Sequence, residues 1–342
     1  MSTLAATRLN RRALLAGAAA TGLATLPGAR DALAQQTKST LAYGSTGYTW
    51  AVTFVAEALE TWKKNGVDLS VIDFPTGRES MQALIAGSAD FSASTDTPFI
   101  FAALIGLKPV VLVNYSRYTR DMKIVVRKDG GIDPMKPASL KGRKIATRVG
   151  TSGQYMLAKY LEMAGLGIKD VTVVDMSPND MNVATVRGDV DGFSWTSQAA
   201  IVAEKQAPGK VAVMTQEGLE KYFQSHQLLL TTERVVKEKP KLVEAAIKSL
   251  FEAEERIKSD PGWPSLISAR VRAPVEEIAA GTKEFEFKIG FDARFIDDLV
   301  AQAEWAIAAG LAKKPDGDLR TLLRGLVHEG PVKAARPERV TI

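Results

Sequence analysis

Apolar residues recur along the chain in two alternating rhythms: short β-branched runs and helical stripes. Residues 40–43 read as a strand, followed by the flexible loop Gly44-Ser45-Thr46-Gly47. Trp50, Phe54, Ala58, Leu59 and Trp62 then fall at helical spacing, which predicts one helix stopping at Asn65-Gly66. Strands are expected at 67–74, 89–94, 110–114 and 123–126, with helices at 78–86 and 98–105 between them. This alternation predicts an α/β fold with a parallel sheet covered on both faces.

The rhythm restarts with a strand at 144–148, a loop at 150–153, a helix at 155–164, a strand at 171–175 and a helix at 178–186 closed by Gly188. Val71-Ile72-Asp73 is echoed by Val173-Val174-Asp175, and the Gly87-x-Ala89-Asp90 ending by Gly188-x-Val190-Asp191. A repeat roughly 100 residues long is too long for a solenoid and points to two similar lobes. The alternative is chance likeness between two βαβ units, each of which needs Gly after its helix.

Strands at 211–213 and 227–231 follow, and from residue 233 to 311 no sheet period returns. Leu242, Ile247, Leu250 and Phe251 mark one long helix, and Ile296, Leu299, Ala303 and Ile307 another. The economical path has residues 35–127 and 231–342 build lobe one and 128–230 build lobe two. Crossings near 127–131 and 228–232 would lie side by side as a hinge. Residues 329–342, with Pro331 and Pro337, read as a surface-hugging tail.

Composition changes the picture mainly at the N-terminus. Arg8, Arg11 and Arg12 precede an uncharged run at 13–26, and Ala32-Leu33-Ala34 offers a small-x-small cleavage site. Residues 1–34 therefore read as an export signal, with the mature chain starting near Gln35. Segment 9–15 (LNRRALL) resembles the twin-arginine motif, with Asn10 where Ser or Thr is usual. A general secretory signal with two adjacent arginines is the alternative. The net charge of +5 includes four Arg and one Asp from this segment, so the remainder carries 40 basic and 38 acidic residues. No nucleic-acid footprint is implied. The chain has no Cys and two His, which removes disulfides, thiol nucleophiles and His-rich metal centres.

In an open α/β sheet, ligands bind beyond the carboxyl ends of the strands, where loops enter helices. That selects the loops at 44–50, 74–79, 94–97, 149–154, 175–179 and 195–197. Each supplies Thr, Ser, Asn or backbone amides ahead of a helix whose first N–H groups lack internal partners. Helix capping alone also explains a single Thr97 or Thr196, so the convergence of loops carries the argument. Arg78 adds a guanidinium suited to an oxyanion, or else pairs with Glu79 or Glu57. Tyr48, Trp50, Tyr155 and Trp195 could wall the apolar body of a ligand, while Trp62 reads as core. Asp96 and Asp175 could face each other across the cleft, and are expected to bind an amine or orient loops.

Enzymatic signatures fail. Gly150-Thr151-Ser152-Gly153 lacks the P-loop Lys, and Gly44-Ser45-Thr46-Gly47 lacks the dinucleotide fingerprint. Neither His226 nor His328 lies near a candidate loop in sequence. No catalytic set, cofactor or metal is expected.

Three segments carry a resemblance: 81–91 (MQALIAGSADF), 140–146 (LKGRKIA) and 188–192 (GDVDG). With them the chain resembles ABC-transporter substrate-binding proteins, in the branch of nitrate-, taurine-, aliphatic sulfonate- and thiamine-precursor-binding proteins. The resemblance covers residues 40–213. It implies a type II periplasmic-binding-protein fold with two doubly wound lobes, a two-segment hinge and a helical C-terminal part. It also implies cleft binding through Thr46, Tyr48, Thr76, Arg78, Thr95, Asp96, Thr97, Gly150, Thr151, Ser152 and Trp195. Trp50, Tyr155 and Asp175 join them on the residue reading. Many members of the branch carry an apolar residue where Arg78 stands. The implied function is the solute-binding component of an ABC importer: a periplasmic monomer taking a sulfonate, taurine or carboxylate ligand to a permease and its ATPase. Two rivals share the scaffold, an enzyme resembling pyrimidine-precursor synthases and a protein that presents ligand to a membrane sensor.

Overall fold

The computed structural model describes residues 36–44 and 47–342. The expected export signal and Thr46 lie outside the described residues. The first lobe opens with β1 (Thr37–Gly44), α1 (Ala51–Ala58), α2 (Thr61–Lys64) and β2 (Val67–Phe74). It continues through α3 (Gly77–Ile85), β3 (Phe91–Thr95), α4 (Asp96–Leu104) and β4 (Pro109–Tyr118). The expected single helix is broken, because Glu60 takes a left-handed conformation with φ 53°. The Thr61 hydroxyl fixes that corner by bonding the carbonyls of Ala56 (3.0 Å) and Ser249 (3.1 Å).

The second lobe holds β5 (Met122–Arg127), β6 (Lys144–Thr147), α5 (Ser152–Met163), β7 (Thr172–Asp175) and α6 (Pro178–Arg187). β8 (Gly192–Thr196), α7 (Ser197–Gln206) and β9 (Val211–Val213) complete it. The chain then returns through β10 (Ser225–Thr232), α8 (Glu233–Glu238) and α9 (Pro240–Ser259). After α10 (Pro264–Val271), α11 (Val275–Gly281) and the two-residue β11 (Phe285–Glu286) come α12 (Ala293–Ala308), α13 (Leu319–Arg324) and α14 (Gly330–Ala335). β11 pairs with β4, so some sheet character does recur after residue 233.

The first sheet runs β11-β4-β10-β3-β1-β2 and the second β7-β6-β8-β5-β9. Read from β2, the first repeats the order of the second: β2 answers β7, β1 answers β6, β3 answers β8, β10 answers β5 and β4 answers β9. The short sequence echoes lie on matching elements of this repeat.

Two expectations are corrected. Neither sheet is wholly parallel, since β10 is antiparallel to β3 and β4, and β5 is antiparallel to β8 and β9. Each of these strands is entered directly from the other lobe with no crossover helix before it, so nothing forces it parallel. The crossings also fall one strand earlier than expected. β5 belongs to the second sheet and β10 to the first, so the chain crosses at residues 119–121 and returns between β9 and β10.

The cores follow from the patterns. β3 is buried throughout, as befits a central strand, whereas edge strand β2 buries only Val67. The apolar stripe of α9, with Leu242, Val243, Ala246, Ile247, Leu250 and Phe251, packs on α1 and α2. Each Val, Leu, Ile or Phe side chain of this stripe contributes about 1.5–3 kcal/mol when fully buried. The tail is anchored and not merely laid on the surface. Arg339 bonds the buried Glu254 at 2.9 Å, and Thr341 N–H donates to the Phe291 carbonyl at 2.8 Å.

Candidate functional site

The carboxyl ends of the two sheets face each other, and their loops touch. Arg78 Nη1 donates to the Val149 carbonyl at 2.7 Å, and Arg148 pairs with Glu79 at 2.7 Å. Gly47 N–H donates to Gln198 Oε1 at 2.9 Å, and Gln198 Nε2 to the Val271 carbonyl at 2.8 Å. Arg78 thus bridges the lobes, bonding neither Glu79 nor Glu57. Gly150 beside it takes φ +77°, a left-handed conformation that favours glycine.

Deeper in, the N-termini of α4 and α5 meet over hydroxyls. Ser152 Oγ donates to Thr95 Oγ1 at 2.8 Å, Thr97 Oγ1 lies 3.3 Å from Ser152 Oγ, and Ser225 Oγ lies 3.2 Å from it. Thr95 and Thr151 occupy the cap positions of α4 and α5, yet neither side chain caps its helix. Thr151 Oγ1 donates to the Arg148 carbonyl at 2.7 Å instead. Capping does account for Thr76, which accepts from Arg78 N–H, and for Thr196, which accepts from Ala199 N–H. Helix N-termini carry positive partial charge and favour negative oxygens; at α4 the buried Asp96 already supplies one, accepting the Thr97 N–H at 2.9 Å, while the N-terminus of α5 presents only hydroxyls.

The expected carboxylate pair does not form. Asp96 is fully buried and saturated, accepting from Ser225 (2.9 Å), the His226 N–H (2.9 Å) and Gln302 Nε2 (2.6 Å). Burial pushes its pKa up, opposed by His226 and these hydrogen bonds. Asp175 is exposed, with Arg148 at 3.3 Å and Val149 N–H at 3.0 Å. One is committed inside lobe one and the other to its own loop. His226 is likewise brought beside the site, contrary to its distance in sequence, because β10 lies next to β3. Its Nε2 meets Asp298 at 2.9 Å.

The aromatic residues divide. Trp50 lies over Gly77, whose absent Cβ would be 3.2 Å from the indole, and Trp195 lies over Gly153, at 2.8 Å on the same measure. Both indole N–H groups and the Tyr48 hydroxyl are buried without a partner among the described residues. Burial, with the charges of Glu277 and Asp121, pushes the Tyr48 phenol up to about 12. Tyr155 instead fills the seam between α5 and α12, its ring 5.0 Å from Trp305 and 5.6 Å from Phe223. Beside Trp195 a cavity of about 220 Å³ opens between α6 and α7, with Asn182, Val183, Gln198 and Ala199 in its wall.

Sequence reasoning missed Arg148, Gln198, Ser225 and Gln302, which join the lobes or knit the hydroxyl cluster, and gave Glu79, inside a selected loop, only as a partner for Arg78. Arg148 and Gln198 border loops already selected, and position beside those loops was the available signal. Ser225 and Gln302 come from β10 and α12, and only the exchange of strands brings them in.

Two lobes of one strand order, joined by paired crossings and closing hydroxyl-lined helix ends on each other, make a type II periplasmic-binding-protein fold. The chain belongs to the NMT1/THI5-like family, whose model matches residues 49–262. A protein of Brucella abortus (strain 2308), named provisionally as a binding protein, is 28% identical over 223 residues, 64% of this chain and 67% of that one. A taurine-binding periplasmic protein of Escherichia coli (strain K12) is 24% identical over 208 residues, 60% of this chain and 63% of that one. The solved alkanesulfonate-binding protein SsuA from Xanthomonas axonopodis pv. citri, bound to MOPS, shares the fold with a TM-score of 0.70. It is 20% identical, over 86% of this chain and 98% of that chain. Among the described residues, no helix is long and apolar enough to cross a membrane.

Proposed function

We propose that this chain is the solute-binding component of an ABC importer, exported to the periplasm, where it closes on a small anionic or zwitterionic organic molecule. The observation that carries the reading is the meeting of α4 and α5 over Thr95, Thr97 and Ser152, with both cap residues released from capping. A sulfonate or carboxylate placed there replaces hydroxyl-to-hydroxyl bonds with charge-assisted ones, which are roughly twice as strong. Trp50, Trp195 and Tyr48 on the candidate loops carry donors without a partner among the described residues, and a cavity of about 220 Å³ opens beside Trp195. The names of the relatives support sulfonates and taurine as the first ligands to try. Closure excludes water and so strengthens each polar contact. The closed form would then dock on a permease with its ATPase.

Thermal unfolding with a panel of sulfonates, taurine, carboxylates and nitrate tests this. A ligand at 100 times its Kd stabilises by about 2.7 kcal/mol. Stabilisation by at least one sulfonate or carboxylate is expected, and absence of a shift with every anion overturns the reading.

A further inference from the structure

We propose that Asp121 is the ammonium-recognising group of the cleft, so that the ligand is a zwitterion whose protonated amine lies a few atoms from its anionic group. This rests on the anion site described above and names the other half of the ligand. Asp121 sits in the first crossing between the lobes, and only 1% of it is exposed. Its Oδ1 accepts from Ser197 Oγ at 2.5 Å, at the start of α7, directly after Trp195 and Thr196. Its Oδ2 is buried and has no partner among the described residues.

The surroundings single this oxygen out. Asp96 is saturated, Asp175 is exposed on Arg148, and Glu79 is taken by Arg148 and Thr76. The nearby cation, Lys123, donates to the Arg120 carbonyl at 2.7 Å and to Gln216 instead of to Asp121. Asp121 acts on Tyr48, the aromatic residue of the first cleft loop. Burial raises the Tyr118 phenol, and the charges of Asp121 and Asp96 raise it further. A buried carboxylate oxygen without a partner is costly unless a cation meets it. Burial pushes Asp121 up to about 6, against the Ser197 bond and the Lys123 charge. A purely anionic ligand would meet repulsion here, whereas an ammonium would find its counter-ion. The group therefore works as a selectivity filter as well as a contact.

Isothermal titration of the full chain with two matched pairs tests the assignment: taurine against ethanesulfonate, and β-alanine against propionate. For the pair that binds, the amine-bearing member is expected to bind at least tenfold more tightly. Asp121→Asn should abolish that preference while leaving the amine-free member unchanged or tighter. Taurine binding to the wild type should also tighten as the pH rises from 5 to 7.5, while ethanesulfonate binding weakens, a readout that survives if Asp121→Asn does not fold. Equal or tighter binding of the amine-free member to the wild type overturns the assignment and leaves the anion site standing. An amine preference that persists undiminished in folded Asp121→Asn also overturns it. Failure of all four compounds to bind, in a protein that another anion stabilises, rejects the zwitterion alone. Silence towards every anion removes both readings.

Discussion

Glu79 at the start of α3 and Arg148 just before α5 meet at 2.7 Å across the two lobes, and Arg148 also reaches Asp175 at 3.3 Å. Both members of the first pair are partly shielded, with side-chain exposures of 20% and 29%. The pair joins loops of the two lobes, and on the closing motion proposed above it would act as a latch on the closed form.

Glu79→Gln should therefore weaken closure. A partly shielded, hydrogen-bonded ion pair is worth about 1 kcal/mol, or roughly fivefold in the closed-to-open ratio. Solution scattering of the ligand-free variant should show a larger radius of gyration, and ligand affinity should fall about fivefold. The latch also has a pH window. Burial pushes Glu79 up, but hydrogen bonds from Thr76 and Arg148 outweigh it and hold the carboxyl below its ordinary value of 4.5. Its contribution is full above that value and disappears as the pH falls through the lowered one. A variant that scatters and binds like the wild type would show that other contacts hold the lobes together.

Gly153→Ala tests how closely Trp195 is seated on α5. The new Cβ would come within 2.8 Å of both the Trp195 ring and Thr147 Oγ1. Neither can retreat easily, since Trp195 is 4% exposed and Thr147 is fully buried. Overpacking of this kind costs about 1–3 kcal/mol. Chemical denaturation should show that loss, and the tryptophan fluorescence should shift because the indole must move. An unchanged midpoint would mean that Trp195 has an alternative seat.

Much of this architecture was legible in the sequence, and the parts that were not share a cause. Strand β2 (Val67–Phe74) reads directly from its alternation, and α9 and α12 from their apolar stripes, because those patterns are local. The echo of Val71-Ile72-Asp73 in Val173-Val174-Asp175 gave the repeat for the same reason. The exchange of β5 and β10 between the sheets was hidden, since a strand's own residues do not say which sheet it will join. The candidate site divides in the same way: Thr95, Thr97 and Ser152, selected from their loops, lie together, whereas Ser225 arrives on an exchanged strand and the proposed Asp121 on the crossing itself. The division of Thr76 and Thr196 as caps from Thr95 and Thr151 as released hydroxyls depends on side-chain partners that spacing cannot reveal.

Asp121 should also leave a mark on stability in the absence of ligand. Its pKa is raised from 3.8 to about 6 by burial, so the folded state holds its proton more tightly than the unfolded chain. The corresponding stability is fully present below pH 3.8 and is lost as the pH rises through about 6. The shift amounts to about 3 kcal/mol between those limits. Urea unfolding from pH 4 to 7.5 should show this decline, and Asp121→Asn should flatten it. Some slope should remain, because burial raises Asp96 in the same direction. If the variant's curve parallels the wild type's, Asp121 is not the titrating group.

The C-terminal strap offers a test that leaves the cleft alone. Glu254 on α9 is fully buried and accepts from Arg339 at 2.9 Å, from the Ile289 N–H at 3.1 Å and from Lys258. Arg339 in turn donates to the Ile289 carbonyl at 3.2 Å, while its own carbonyl accepts from Phe291 N–H at 2.8 Å. The pair thus ties the tail to α9 and to the segment that leads into α12. Removing one member of a buried ion pair typically costs about 3–5 kcal/mol, because the other is left uncompensated. Arg339→Ala should fall at the lower end, since Lys258 and the Ile289 amide still face Glu254. Exchanging both members for residues of similar shape, as in Glu254→Gln with Arg339→Met, should recover much of the loss. Urea denaturation of the single and double variants measures both values. If the double variant is as unstable as Arg339→Ala alone, packing of the tail, and not the charge left behind on Glu254, is what the single substitution destroys.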